Sequence, residues 1–116
     1  TPQVRVALQV QVAYDSDVEK ALALLVEIAS REPRVLRGAQ APKAFITGFS
    51  DSGINLELGM WINDPQVGHL DLRSAVSLAI LKAFAANAIQ IPYPQRDVRI
   101  VSQSVQRGNE TTAQAP

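Results

Sequence analysis

Two segments of this 116-residue chain alternate regularly between apolar and polar residues, and they constrain its fold more than any other feature. In Val4–Ala13 and in Ile54–Asn63, large apolar side chains fall at every second position. Successive side chains of a strand point to opposite faces of a sheet, so this spacing predicts two strands, each with one buried face. Such a sheet needs a second layer to cover its apolar face.

Two segments with helical spacing can supply that layer. The first begins near Ser16, which fits a capping box with Glu19, and should end at Glu32 because the residue before a proline avoids the helical region. Its apolar stripe consists of Val18, Ala21, Leu22, Leu25, Ile28 and Ala29. The second helix is predicted over Asp71–Ala88, with a stripe of Leu72, Ala75, Val76, Ala79, Ile80, Ala83 and Phe84. Each stripe marks the helix face that meets the sheet.

The remaining elements complete a known order. Ala44–Phe49 is predicted as a strand that pairs with Ile54–Asn63 through the turn Asp51-Ser52-Gly53, where glycine can adopt a positive φ. Arg99–Val101 has the composition of a short last strand. The order βαββαβ predicts an α+β, ferredoxin-like fold, an antiparallel sheet with two helices on one face. The other sheet face is expected to be mixed, with Gln9, Gln11, Glu57 and Trp61, and with Phe45 and Phe49 as further candidates.

Length and composition indicate a single domain. Hydrophobic residues make up 47% of the chain and charged residues 19%, which suffices for one core. We expect this domain to cover residues 1–101. Residues 102–116 are polar and without periodicity, so we expect a disordered tail or linker there. The first strand is predicted almost directly after Thr1-Pro2, so we expect the chain to be part of a longer protein.

Several functional classes are disfavoured. The chain has no cysteine, which excludes disulfides and thiolate metal sites. Its 11 basic and 11 acidic residues balance, whereas a nucleic-acid-binding domain normally carries a basic excess. No apolar run is long enough to span a bilayer. No nucleotide-binding, metalloprotease or nucleophile-elbow motif occurs, so we expect no catalytic residue, no metal and no cofactor.

The individual candidates for chemistry have simpler explanations. His69 is the only histidine and lies in a predicted loop, where it is expected to be solvated. Asp15 and Asp17 lie at a helix start, where acidic side chains cap the helix. Acylphosphatases share this fold class, but their anion-binding loop would here be Tyr14–Asp17, which is acidic and would repel phosphate. We therefore predict that the chain is not an enzyme.

Trp61 has two interpretations. It can lie over the open sheet face as part of this domain. It can also anchor an interface, because large aromatic residues are enriched where proteins bind each other. The sequence leaves both open.

The segment IPYPQRDV, which begins at Ile91, carries the most specific pattern. Pro92 and Pro94 each fix φ and lack a backbone donor, so the segment is a stiff extended connector and cannot pair as a central strand. It delivers the following residues in a defined geometry, where they can form ion pairs or hydrogen bonds with another segment or subunit: Gln95, Arg96 and Asp97.

This segment resembles the C-terminal signature of small-conductance mechanosensitive channels of the MscS family. Three further stretches resemble that family in order and spacing: Val10–Asp17, Asp51–Leu58 and Trp61–Pro65 with Gly68 and Leu72–Ser74 after it. The resemblance covers about residues 4–101. It marks Trp61 and the proline segment as interface or family-motif residues. At Ala75 the chain departs from the polar or acidic residue expected in relatives.

The resemblance implies a cytoplasmic cage domain of a channel in the bacterial inner membrane, which opens under tension and releases ions and small solutes in osmotic downshock. Seven copies would form a hollow cage with side portals. The partner is thus the chain itself, as a homoheptamer, and the membrane is met only through transmembrane helices that this chain lacks. The alternatives are a ferredoxin-like regulatory or ligand-binding module of another protein and, less favoured, an acylphosphatase-like hydrolase.

Overall fold

The sheet is antiparallel, and among the described strands the first one lies at an edge of the sheet. A computed structural model describes residues 2–92 and places β1 at Val4–Val12, β2 at Lys43–Phe49 and β3 at Ile54–Ile62. The order is β1-β3-β2, and β3 pairs antiparallel with both neighbours. The connection from β1 to β2 contains α1, Val18–Ser30, so β3 is inserted into a split βαβ unit. The predicted α+β class is confirmed.

One face of this sheet forms the core, as the period-two pattern predicted. The alternate residues of β1 and β3 that were expected inside are buried or packed against the core, and both helices contribute their stripes to the same cluster. The fully buried side chains with the largest volume are Phe84, Leu25, Leu56, Leu58, Met60, Ile62, Val12 and Val76. Burial of apolar area on this scale is the main favourable term in the folding of the domain.

The first helix begins differently from the capping-box prediction. Asp17, not Ser16, is the N-cap, and its Oδ1 accepts a hydrogen bond from the Lys20 backbone N–H at 3.1 Å. Glu19 is therefore the second helical residue and lies one position too early to return a bond to the cap. The hydroxyl of Ser16 is buried and finds no hydrogen-bond partner among the described residues. The helix ends at Ser30, two residues before the predicted Glu32.

The second helix, α2, runs from Leu70 to Ala86. It ends because Ala88 adopts a left-handed φ of 58°, and the Ile89 N–H then bonds to the Phe84 carbonyl oxygen at 2.9 Å, as in a Schellman motif. The predicted stripe is right except at Ala75, which is exposed. The buried residues of α2 are Leu72, Val76, Ile80 and Phe84, a spacing of four that places Ala75 beside the stripe and not within it.

The hairpin between β2 and β3 corrects two further predictions. A bulge between Ile46 and Gly48 shifts the register, so Phe49 pairs with Ile54 and lies on the core side of the sheet, where it is 72% exposed at the edge. Phe45 pairs with Glu57 on the open face, as expected. Gly53 does not adopt a positive φ. Its role in the turn is to allow a close backbone approach, as described below.

Several predictions concern residues outside the described range. These are the strand Arg99–Val101, the motif residues Pro94, Gln95, Arg96 and Asp97, and the tail 102–116. Within residues 2–92, no helix combines the length and the apolar character needed to cross a membrane. In the same range, no three His, Asp or Glu side chains lie close enough together to hold a metal ion.

Candidate functional site

Three of the four segments that carry the family resemblance meet at one corner of the molecule, here called the motif corner, which contains Ala13, Gly53 and Pro92. The backbone N–H of Ala13, just after β1, donates to the Gln90 carbonyl oxygen at 2.9 Å. Gly53 lies between Val12 and Pro92, and a Cβ on Gly53 would collide with the Val12 carbonyl oxygen and would lie 3.1 Å from Pro92 Cγ. The first proline of the motif therefore packs on the hairpin turn, which explains why a glycine is needed there.

Polar side chains hold the same corner together. Gln11 Nε2 donates to Ser50 Oγ at 2.7 Å and to Asn55 Oδ1 at 2.8 Å, so the end of β1 is linked to both sides of the hairpin. The Ser50 N–H bonds to the Gly53 carbonyl oxygen at 2.9 Å and closes the turn. The Tyr14 hydroxyl donates to the Ser50 carbonyl oxygen. The corner is a scaffold that presents the chain leaving α2 at a defined position.

The fourth family-like segment, Trp61–Pro65, is held by an arginine that sequence patterns do not reveal. Arg34, after α1, donates to Asp64 Oδ1 and Oδ2, both at 2.9 Å, and to the Gly68 carbonyl oxygen at 2.6 Å. A bidentate pair of this kind fixes both position and orientation. It joins the loop after α1 to the loop before α2. The two residues are 30 positions apart, and no periodicity links them.

The Arg34–Asp64 pair gives the domain a predictable response to acid. Hydrogen bonding from Arg34 lowers the pKa of Asp64 below its ordinary value of 3.8. A carboxyl with a lowered pKa in the folded state adds stability above its unfolded pKa, and this stability is lost as the pH falls through the folded value. In the Asp64→Asn variant, we expect the free energy of unfolding to decrease less steeply as the pH is lowered from about 5 to about 2. Urea titrations across this range measure it.

The matched control for this test is Asp51→Asn, at an exposed carboxylate in the hairpin turn. It removes the same charge from the chain without touching the pair. An equal flattening in both variants would show that the effect comes from net charge and not from the contact with Arg34.

A second ion pair lies on the open face of the sheet, against the backbone of β3. Arg5 donates to Glu57 Oε2 at 2.7 Å, and Gln9 donates to Glu57 Oε1 at the same distance. Both hydrogen bonds lower the pKa of Glu57, and the one from Arg5 has the larger effect. The Arg5 guanidinium crosses over Gly59, at a place that any Cβ would occupy. The absence of a side chain at position 59 is thus what lets Arg5 reach Glu57.

The structure places the other residues singled out from the sequence as follows. Trp61 is half-buried on the open face and pairs with Arg5 across the strands. Pro92 packs at the motif corner, whereas the later motif residues are outside the described range. Asp17 is a helix cap, as expected. His69 occupies the N-cap position of α2, is exposed, and makes no capping hydrogen bond with its side chain.

An apolar groove follows the edge of β1 that is not paired with any strand of residues 2–92. Its volume is about 240 Å³, and its apolar lining comes from Leu8, Val10, Ile80, Leu81 and Ile91. The Arg73 guanidinium, from α2, bonds to the Ala7 carbonyl oxygen at 2.9 Å and so occupies one acceptor of this edge. Arg73 was not predicted to have this role, because its partner is a backbone atom 66 positions away.

Comparison with known families supports the family resemblance that the motifs indicate. Residues 6–91 match the family model described as mechanosensitive ion channel MscS, C-terminal. This range includes most of β1, both helices, the hairpin and the first residue of the proline segment.

Curated relatives point the same way. An MscS family protein from Buchnera aphidicola is 32% identical over 94 residues, which cover 77% of this chain and 31% of the relative. One from Archaeoglobus fulgidus is 28% identical over 77% of this chain and 30% of the relative. One from Haemophilus influenzae is 31% identical over 97% of this chain but only 9% of its own length. The chain thus spans a third or less of these relatives.

Solved structures share the fold. Helicobacter pylori MscS in its closed state superposes with a TM-score of 0.72 at 25% identity, over 89% of this chain and 40% of that one. Arabidopsis thaliana MSL1 has a TM-score of 0.68 over 80% of this chain, and at 16% identity it shows the fold alone.

Proposed function

Because the chain belongs to the MscS family of mechanosensitive ion channels, we propose that it forms part of the wall of a cytoplasmic cage in a longer channel protein. The observation that carries this proposal is the match of residues 6–91 to the C-terminal family model. The fold shared with Helicobacter pylori MscS supports it. The full protein would open under membrane tension and release ions and small solutes during osmotic downshock, on the cytoplasmic side of the bacterial inner membrane.

In this role the chain acts through shape and assembly and not through catalysis. The motif corner and the Arg34–Asp64 pair hold the loops at both ends of the sheet in fixed positions, which a repeating wall requires. A ring of identical copies needs a heterologous contact whose rotation closes, here a sevenfold one as in the homoheptamer that the resemblance implies. Each such contact should bury on the order of 1,000 Å² or more.

We further propose that the open sheet face takes part in these contacts. It presents Trp61 and Phe45 beside the Arg5–Glu57 pair, a mixture of aromatic and charged groups that is typical of protein interfaces. The segment Pro94–Asp97 would supply further contacts beyond the motif corner. Trp61, Phe45 and the Arg5–Glu57 pair lie outside the core formed by the described residues, which is on the opposite face.

Assembly can be tested in a chimera. The matching region of Helicobacter pylori MscS is replaced by this chain, and the mass of the detergent-solubilised protein is measured. We expect a single species of seven copies. Trp61→Ala should reduce this species at least severalfold while changing the melting temperature little, because large aromatic anchors dominate interface energies.

Phe49→Ala is the matched control, since it removes an exposed aromatic side chain from the other side of the sheet. It should leave the assembly intact. A seven-copy species that survives Trp61→Ala, together with a large loss of stability, would assign Trp61 to the fold of the domain and overturn its role as an anchor.

A further inference from the structure

We propose that the open sheet face also carries a binding site for a small planar organic anion, such as an aromatic carboxylate. The site is a cavity of about 210 Å³ between β1, β3 and the start of β2, closed by the 3₁₀ turn Gly38–Gln40. Six residues are relevant to binding: Arg5, Gln40, Lys43, Phe45, Gly59 and Trp61. The inference does not require the channel function, but it shares Trp61 and Phe45 with the contacts proposed above, so it applies to a single copy in which this face is uncovered.

The floor of the cavity exists because of Gly59. Gly59 pairs with Lys43 across the strands, and because it has no side chain, β3 leaves a gap on the open face at this position. The space that a Cβ would take is filled by the Arg5 guanidinium, which lies flat on the strand. A guanidinium held in this way is pre-oriented, and little side-chain entropy remains to be lost when it donates to a ligand.

The charge of the cavity favours an anion. Arg5 and Lys43 both line it, and Glu57, which neutralises Arg5, is not among its lining residues. The Lys43 ammonium forms no ion pair with a described residue, so one positive charge remains uncompensated there. Charge-assisted hydrogen bonds from arginine and lysine to a carboxylate are among the stronger polar contacts. The Gln40 amide supplies a further donor.

The walls favour a planar group. Trp61 and Phe45 lie on either side of Gly59 on the open face. Trp61 is the next open-face residue along β3, and Phe45 pairs with Glu57, the preceding one. Aromatic side chains prefer stacked or edge-to-face contacts with other flat groups. The volume equals that of roughly seven water molecules at ~30 Å³ each, which suits one ring with a carboxylate and is too small for a nucleotide.

The experiment is a titration of the full chain with benzoate, followed by ¹H–¹⁵N NMR. Trp61 is the only tryptophan, so its indole N–H gives one assignable signal. We expect this signal and the backbone signals of Gln40 and Lys43 to shift and saturate. Lys43→Met should weaken binding about tenfold, as expected for the loss of one charged hydrogen-bond donor. Lys82→Met, at an exposed lysine on α2, is the matched control and should bind as the parent does.

Two chemical probes separate the parts of the proposal. Benzamide has the ring without the charge, and cyclohexanecarboxylate has the charge without the flat ring; each should bind at least fivefold more weakly than benzoate. Gly59→Ala, whose Cβ would displace the Arg5 guanidinium from the floor, should weaken benzoate binding independently of Lys43. Equal binding by the Lys43→Met and Lys82→Met variants, shifts that do not saturate, or inorganic phosphate binding as tightly as benzoate would overturn the proposal.

Discussion

Replacing Leu72 by alanine is expected to lower the free energy of unfolding by about 2–5 kcal/mol. Leu72 lies in the first turn of α2 and is only 3% exposed, within the cluster that joins both helices to the sheet. Truncation removes buried apolar atoms and leaves a cavity that the neighbouring strands cannot fill by a small shift. Urea unfolding followed by circular dichroism measures the change.

Leu78→Ala is the matched control, because it makes the same substitution in the same helix. Leu78 is 53% exposed, so the expected loss is about 0.5 kcal/mol or less. The comparison tests which face of α2 meets the sheet. Equal losses in the two variants would show that α2 packs differently from the arrangement described above.

Replacing Gly53 by alanine is expected to cost about 1–3 kcal/mol, although the change adds only one methyl group. The added Cβ would collide with the Val12 carbonyl oxygen. That oxygen belongs to the backbone of β1 at its pair with Ile54, so it cannot move away without disturbing the strand ladder. The new methyl would also press on Pro92, so we expect the chain at the motif corner to shift. Thermal unfolding and amide shifts of residues near Ala13 report the two effects.

Gly48→Ala provides the comparison. Gly48 lies in β2, and no atom lies within 4 Å of the place where its Cβ would be. Because glycine weakens a strand interior, this variant should be unchanged or more stable by about 0.5 kcal/mol. A Gly53→Ala protein as stable as the Gly48→Ala protein would contradict the close approach of turn and strand.

The periodic parts of the fold were predictable from the sequence because burial imposes a repeat. Alternate residues of β1 and β3 face the helices, and each helix buries residues three or four positions apart, so local patterns were enough to place the core. The hairpin also followed from local composition. The family resemblance was visible for a related reason, since its segments coincide with turns and loops that need particular residues.

The incorrect predictions share a physical origin. A one-residue bulge in β2 moved Phe49 to the other face, and its one local signal was Gly48, because a glycine inside a strand often marks a bulge. Ser16 and Asp17 are both good helix caps, and the choice between them depends on where the helix packs. The contacts of Arg34 with Asp64 and of Arg5 with Glu57 join distant parts of the chain. Such contacts arise only once the fold is formed, so no pattern along the sequence could reveal them.

The motif corner gives the proline segment a physical context. The sequence alone predicts a stiff connector and does not identify its neighbours. Its first proline now has defined ones, the glycine of the hairpin turn and the end of β1, which are themselves parts of family-like segments. The segment is therefore anchored at its first proline, where it leaves the core.

The central claim is that this chain serves as a cytoplasmic wall of a tension-gated channel, and survival of osmotic downshock tests it most directly. Bacteria that lack their own mechanosensitive channels would carry the chimera with Helicobacter pylori MscS, alongside a version with Leu72→Ala as the destabilised control. The account predicts that the chimera restores survival to near the level given by the intact channel and that the control does not. Chimeras that reach the membrane in normal amounts as seven-copy assemblies, in cells that nevertheless lyse like those without a channel, would contradict it.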